Sequence, residues 1–184
     1  MDQSRLQKAE ALRKAGKQPY ASHFDRSHYL QEAQTLKEDM RADIAGRVVL
    51  FREMGKMTFA TLQDHTGRMQ IAFREDILEK DHYKETVSLI DLGDFIGVHG
   101  KRFTTQKGEP TILVDSWEML TKTLRPLPEK WHGLQDQETS WRQRYLDLTS
   151  NQQTSDRFLF RSTFVQKLRE FYWSQEFKIG RAHV

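Results

Sequence analysis

Residues 44–73 read IAGRVVLFREMGKMTFATLQDHTGRMQIAF, and three short strands can be read from them directly. Ile44–Phe51 is rich in β-branched and apolar residues, and Gly55-Lys56 breaks it. Met57–Gln63 is a second run, closed by the turn His65-Thr66-Gly67. Arg68–Phe73 alternates, with Met69, Ile71 and Phe73 on one face and Arg68, Gln70 and Ala72 on the other. Working outward, residues 76–90 (DILEKDHYKETVSLI) read as one helix with Ile77, Tyr83, Val87 and Ile90 on its apolar side. Strands about Asp94–Phe103 and Thr111–Met119 follow, joined at Lys107-Gly108. The order β-β-β-α-β-β is that of an OB-fold, a five-stranded Greek-key barrel whose binding surface is the face of strands two and three with the flanking loops.

The segments on either side complete an α+β protein. Residues 4–15 (SRLQKAEALRKA) show helical spacing of Leu6, Ala9 and Leu12, with Gly16 as a stop. Residues 18–40 read as irregular, with a short helix around Tyr29–Lys37. After the barrel, Pro126 and Pro128 make a stiff connector. Glu138–Leu148 reads as a helix with Trp141, Tyr145 and Leu148 on one side, and a longer helix starts near Ser155 or Asp156. Its stripe of Phe164, Val165, Leu168, Phe171 and Tyr172 needs a partner surface. The expected division is 1–40 N-terminal helical segment, 41–122 barrel, 123–137 linker and 138–178 the start of a second domain.

Composition narrows the function. The chain of 184 residues has a net charge of +3, and the barrel carries 12 basic against 13 acidic residues, so bulk charge does not make it a non-specific nucleic-acid binder. The absence of cysteine excludes disulfides and thiolate metal sites and fits a reducing cytosol. No apolar run is long enough for a membrane span or a signal-peptide core, so a cytoplasmic protein is expected. The motifs HExxH, GxGxxG, GxSxG and the P-loop are missing, and the seven histidines share no ligand spacing, so no metal site is expected. No catalytic residue is assigned.

One polar and aromatic set stands out around the expected binding face. Arg52 ends strand one, Phe59 has the opposite parity to Leu62, Gln70 is on the polar parity of strand three, and Glu109 lies in the loop between strands four and five. RNA-binding barrels stack unpaired bases on a ring and bond base edges to Arg, Gln and Glu. An ordinary core aromatic among surface polar residues would carry the same spacing. Arg52 shares the parity of Leu50, which weakens its placement beside Phe59.

Residues 124–148, LRPLPEKWHGLQDQETSWRQRYLDL, closely resemble the junction between the two domains of class II lysyl-tRNA synthetases. RYLDL is shared with aspartyl and asparaginyl enzymes; HGLQDQE is the lysine-specific part. IAGRVVLFREMGKMTFATLQDHTGRMQ resembles the family's first barrel strands, GKRFTTQKGEPTI its fourth strand and loop, and RLQKAEALRKAGKQPY its leading helix. The resemblance implies a barrel that grips the anticodon loop of lysine tRNA, followed by a domain that joins lysine to the tRNA with ATP and magnesium. It places anticodon contacts on Arg52, Phe59, Gln70 and Glu109, with Phe59 stacking on a base and the others bonding uridine edges. It also implies a homodimer through the helix 156–177. The basic run 142–145 reads as a solvated helix face with Tyr145 inward, the alternative being contact with the tRNA stem. The sequence departs from the family after Phe177. IGRAHV at 179–184 resembles one frame of a sequencing adapter, so a non-native tail and an inactive truncated enzyme are expected. The alternatives are an aspartyl or asparaginyl enzyme, a generic single-strand-binding OB module, and an interaction domain that binds no RNA.

Overall fold

The computed structural model describes residues 2–127 and 136–178. The chain divides into two compact units, Met1–Pro126 and Leu127–Val184. Pro128, residues 132–135 of the HGLQDQE segment and the tail 179–184 lie outside the described residues.

In the first unit, helix α1 (Gln3–Lys14) starts at an Asp2 cap whose carboxylate accepts from the Ser4 N–H. It ends before Gly16, which takes φ +73°, and it buries Ala9 and Leu12. Helix α2 is only Leu30–Gln34, shorter than the expected 29–37. The strands are β1 (Arg41–Met54), β2 (Met57–Gln63), β3 (Arg68–Arg74), β4 (Phe95–Thr104) and β5 (Pro110–Thr121). They close into a barrel in the order β1-β2-β3-β5-β4, and the closing pair β3–β5 is parallel while the others are antiparallel. This is the five-stranded ring expected of an OB-fold. Its interior is filled from alternate positions: Ala42, Ile44 and Val48 of β1, Ala60 and Leu62 of β2, Met69, Ile71 and Phe73 of β3, with Ile96, Val98, Ile112 and Val114 opposite.

The helix expected over 76–90 is two. Helix α3 (Glu75–Leu78) stops at Glu79, which takes φ +61°, and α4 (Lys80–Leu89) restarts. The break resets the helical phase. Tyr83 and Ile90 are buried as expected and Val87 packs partly buried against the core, but Leu78, Thr86 and Leu89 are buried while Ile77 is only half-buried. Two buried hydrogen bonds fix α4 to the barrel: Tyr83 OH with Thr58 Oγ1 at 2.8 Å, and Trp117 Nε1 donating to Thr86 Oγ1 at 2.8 Å.

A buried cation ties the ends of β4 and β5. Lys122, 1% exposed, donates from Nζ to the Leu89 carbonyl at 2.7 Å and to Asp91 Oδ2 and Asp94 Oδ2 at 2.6 Å each. Lys8 of α1 reaches Asp91 Oδ1 at 2.7 Å, so the N-terminal helix joins the same network.

In the second unit, the helix expected over 138–148 is also two, α5 (Gln137–Arg142) and α6 (Arg144–Ser150), broken at Gln143. Trp141 and Tyr145 do not turn inward; they are 65% and 61% exposed. Asp147 is the buried residue instead. It accepts from Ser140 Oγ at 2.8 Å and Arg144 Nη1 at 2.6 Å, and the polar hub sets the phase of α6. Helix α7 (Gln152–Ser174) begins at an Asn151 cap, a turn earlier than expected, and carries Phe160, Phe164, Leu168 and Phe171 exposed.

Candidate nucleic-acid interface

The position of Arg52 is decided by a β-bulge. Along β1, Ala42, Ile44, Gly46 and Val48 face inward. Val48 pairs with Leu62, but Leu50 pairs with Thr61, so one extra residue is accommodated between them. The bulge inverts the parity of the rest of the strand. Phe51 then pairs with inward Ala60, and Arg52 pairs with outward Phe59. Arg52 and Phe59 are therefore direct cross-strand neighbours on the outer face, with Cβ atoms about 5 Å apart as in any such pair. The shared parity of Arg52 and Leu50 is correct, and both point outward.

Phe59 lies outside the apolar core. On its other side it pairs with Ala72 of β3. Ala72, expected among the polar residues of that strand, faces outward yet is fully buried, because its methyl group lies between Phe59 and Leu113 on the ladder.

Gln70 is one rung along. It pairs with Thr61 of β2 and with Thr111 of β5. Its Nε2 donates to Thr111 Oγ1 at 2.9 Å, and the Thr111 hydroxyl donates to the Glu109 carbonyl at 3.2 Å. This orders the amide: one N–H is committed to the buried threonine, while among the described residues the second N–H and the Oε1 acceptor have no hydrogen-bond partner. Thr111 was missed in the sequence. It is a buried hydroxyl on the outer side of the barrel, and the parallel β3–β5 pairing that brings it to Gln70 has no local sequence signal.

Glu109 is exposed at the end of a tight turn. Thr105 N donates to the Glu109 carbonyl at 3.0 Å, Glu109 N donates to Thr105 Oγ1 at 3.1 Å, and Gly108 supplies the φ of +80° that the turn requires. The backbone of Glu109 is thus pinned beside the Gln70–Thr111 pair. All four residues singled out in the sequence meet through one sheet face and its adjoining loop: Arg52 opposite Phe59, Gln70 one rung away, and Glu109 joined to Gln70 through Thr111.

The opposite end of β2 and β3 is equally ordered. Asp64 Oδ1 accepts from Thr66 N at 2.7 Å and Gly67 N at 3.0 Å, and Oδ2 accepts from Leu30 N at 3.1 Å. Burial would raise the Asp64 carboxyl, but the Thr66 hydroxyl, which donates to Oδ1 at 2.7 Å, and these backbone bonds outweigh burial and hold it below its ordinary value. Next to this turn, Arg26 lies over the Tyr29 ring at 3.8 Å and Tyr29 meets His65 edge-on at 4.9 Å.

The arrangement offers a half-buried ring, an exposed guanidinium, an ordered amide and an exposed acidic residue on one sheet face and its loop, the kinds of group that hold an unstacked base by its face and edges. Among the described residues, no group of three or more His, Cys, Asp or Glu is arranged to hold a metal ion, and no helix is long and apolar enough to cross a membrane.

Known proteins resemble the chain at two levels. The family model of the tRNA anticodon OB-fold nucleic acid binding domain matches residues 42–120. Over 170 residues the chain is 46% identical to the lysine–tRNA ligase of Carboxydothermus hydrogenoformans, which covers 91% of this chain and 35% of that protein. It is 42% identical over 183 residues to the lysine–tRNA ligase of a Synechococcus strain, and 42% identical over 184 residues to that of Actinobacillus pleuropneumoniae. Each of these two alignments covers 95% of this chain and 37% of the relative. The chain thus spans little more than a third of the length of the relatives it matches.

Proposed function

We propose, from the premise that residues 42–120 belong to the OB-fold nucleic acid binding domain family of tRNA anticodon readers, that the barrel binds the anticodon loop of a lysine tRNA as part of a lysine–tRNA ligase. The observation that carries this reading is the hydrogen-bonded alignment of Gln70, Thr111 and Glu109 beside the Arg52–Phe59 pair.

The chemistry of the patch suits uridine. Phe59 stacks on the base. With one N–H held by Thr111, Gln70 presents an acceptor and a donor side by side. A uracil edge presents an N3–H donor beside a carbonyl acceptor, which is the complementary pair. Cytosine places an acceptor at N3 and a donor at N4, so both contacts would be mismatched, and a lost or unpaired buried hydrogen bond costs about 1–3 kcal/mol. Arg52 donates to a uracil carbonyl, and the Glu109 carboxylate accepts from a base N–H. Arg52, Phe59, Gln70 and Glu109 are the anticodon-binding residues of this reading, and the barrel domain is 41–122 between the segment 1–40 and the linker 123–137.

The ligation of lysine, with ATP and magnesium, belongs to the whole protein of this reading. The described residues hold no ligand set for a metal, and no step of the ligation is assigned to them. The region 138–178 opens the catalytic domain, the helix 156–177 contributes to a homodimer, and the protein works in the cytoplasm.

Fluorescence-anisotropy titration tests the reading. A lysine anticodon stem-loop carrying UUU is compared with one whose middle uridine is cytidine, at the same salt. Tighter binding of UUU is the expected result. Equal affinity for the two would replace the anticodon reader with a general single-strand module, and absence of binding to either would refute an RNA role for the barrel.

A further inference from the structure

The rung that carries Gln70 continues past Thr111 to a second aromatic ring. Across the barrel it reads Leu50, Thr61, Gln70, Thr111 and Phe103 on β1, β2, β3, β5 and β4. The neighbouring rung reads Arg52, Phe59, Ala72, Leu113 and Lys101 on the same strands. Residues paired directly across a ladder project from the same face. Phe103 and Lys101 therefore belong to the outer face that carries Phe59, Gln70 and Arg52.

Phe103 is not a core residue. It is half-buried, and it is neither in the apolar core nor among the partly buried apolar residues packed on it. Its backbone is held firmly. Arg102 N donates to the Met40 carbonyl at 2.9 Å, Asp39 N donates to the Arg102 carbonyl at 2.9 Å, and Thr104 N donates to Glu38 Oε1 at 3.1 Å. Lys101 beside it is exposed. A rigidly mounted ring on a polar sheet face, next to an exposed cation and one bonded threonine away from Gln70, has the make-up of a stacking platform with a phosphate contact.

We propose that Phe103 is a second base-stacking ring, which takes an unpaired base flanking the one held over Phe59, with Lys101 facing the intervening phosphates. The proposal rests on the anticodon reading above. Along the rung, through β3 and β5, three strand spacings of roughly 14 Å in all separate β2 from β4, so one base does not bridge the two rings and Phe103 serves a neighbour. The rung also explains why Thr111 is buried while facing outward: it is flanked by Gln70 and Phe103.

The test combines protein variants with RNA lacking single bases. Phe103→Leu keeps apolar volume and removes the ring, and Phe59→Leu is its counterpart. Each is titrated with the intact UUU stem-loop and with loops made abasic at the first, middle or third anticodon position. Phe103→Leu is expected to bind the intact loop roughly 5- to 150-fold more weakly than the parent chain. On one flank-abasic loop the two proteins should bind alike, while on the middle-abasic loop the difference should persist. Phe103→Trp adds a readout independent of the folding of the leucine variant: its fluorescence should respond to the intact loop and not to that same flank-abasic loop. Unchanged affinity of Phe103→Leu beside a weakened Phe59→Leu would overturn this proposal alone. So would an equal loss on every loop, which would make Phe103 a structural residue only. If Phe59→Leu also binds every loop like the parent, the anticodon reading falls, and this proposal with it.

Discussion

Phe59 and Glu109 make separable contributions. Phe59→Ala removes a stacking surface, and anisotropy with the UUU stem-loop should show a loss of about 1–3 kcal/mol. Glu109→Ala leaves the ring in place and should instead narrow the gap between the UUU and middle-cytidine loops. Lys122 is a different kind of residue, since it meets two carboxylates and a carbonyl with no solvent to replace them. Removing one partner of a buried ion pair leaves an uncompensated charge, so Lys122→Ala should cost about 3–5 kcal/mol in urea unfolding. His99 lies between Asp43, at 2.7 Å from Nδ1, and Glu118, at 3.5 Å from Nε2. Burial would lower its basicity, but hydrogen bonds and the charges of both carboxylates outweigh burial and raise it above its ordinary value. A raised value in the folded state means stability gained below the unfolded pKa, about 6.5, and lost as pH rises through the folded one. The Tm of the parent chain should fall more than that of His99→Gln between pH 6 and pH 9.

Elements are governed here by close approach and by breaks. At Gly100 of β4, an added Cβ would clash with the Leu113 carbonyl oxygen of β5, a backbone atom that cannot move without opening the ladder. Gly67, in the β2–β3 turn, has open space around the same position. Gly100→Ala should therefore lower stability by about 1–3 kcal/mol or more in urea unfolding, while Gly67→Ala stays near the parent value. The bulge in β1 and the breaks at Glu79 and Gln143 share a consequence: each shifts the phase of the residues that follow, and so changes which side chains are buried. The apolar pattern marked α4 as helical, but the residues it buries depend on the kink before it. The same holds for α6, where Asp147 and not Tyr145 is enclosed.

At the scale of the molecule, the charge balance and the apolar surface point to opposite behaviours. A barrel with 12 basic and 13 acidic residues has little general attraction for a polyanion, so recognition depends on the local patch. The second unit, by contrast, exposes Leu159, Phe160, Phe164, Phe171 and Trp173 along one helix. Contiguous apolar surface of this kind drives association. Light scattering after size exclusion should show concentration-dependent assembly of the chain, and residues 1–127 alone should elute as a monomer. A monomeric full chain at high concentration would contradict this account of α7.

The sequence by itself determined the five strands, the turns between them, the leading helix and the choice of Arg52, Phe59, Gln70 and Glu109, because alternation, turn residues and helical spacing are local patterns written over a few neighbours. Its resemblance to lysyl-tRNA synthetases supplied the tRNA reading that spacing alone left open. Tertiary structure decided three things. The bulge between Val48 and Leu50 turns Arg52 to the side of Phe59. The parallel closure of β3 on β5 brings Thr111 and Glu109 to Gln70. The enclosed Lys122 gathers the Leu89 carbonyl, Asp91 and Asp94 from some thirty residues away. These features depend on contacts between residues far apart in the chain, and the energy that selects them exists only once the barrel has closed and the partners have been removed from water.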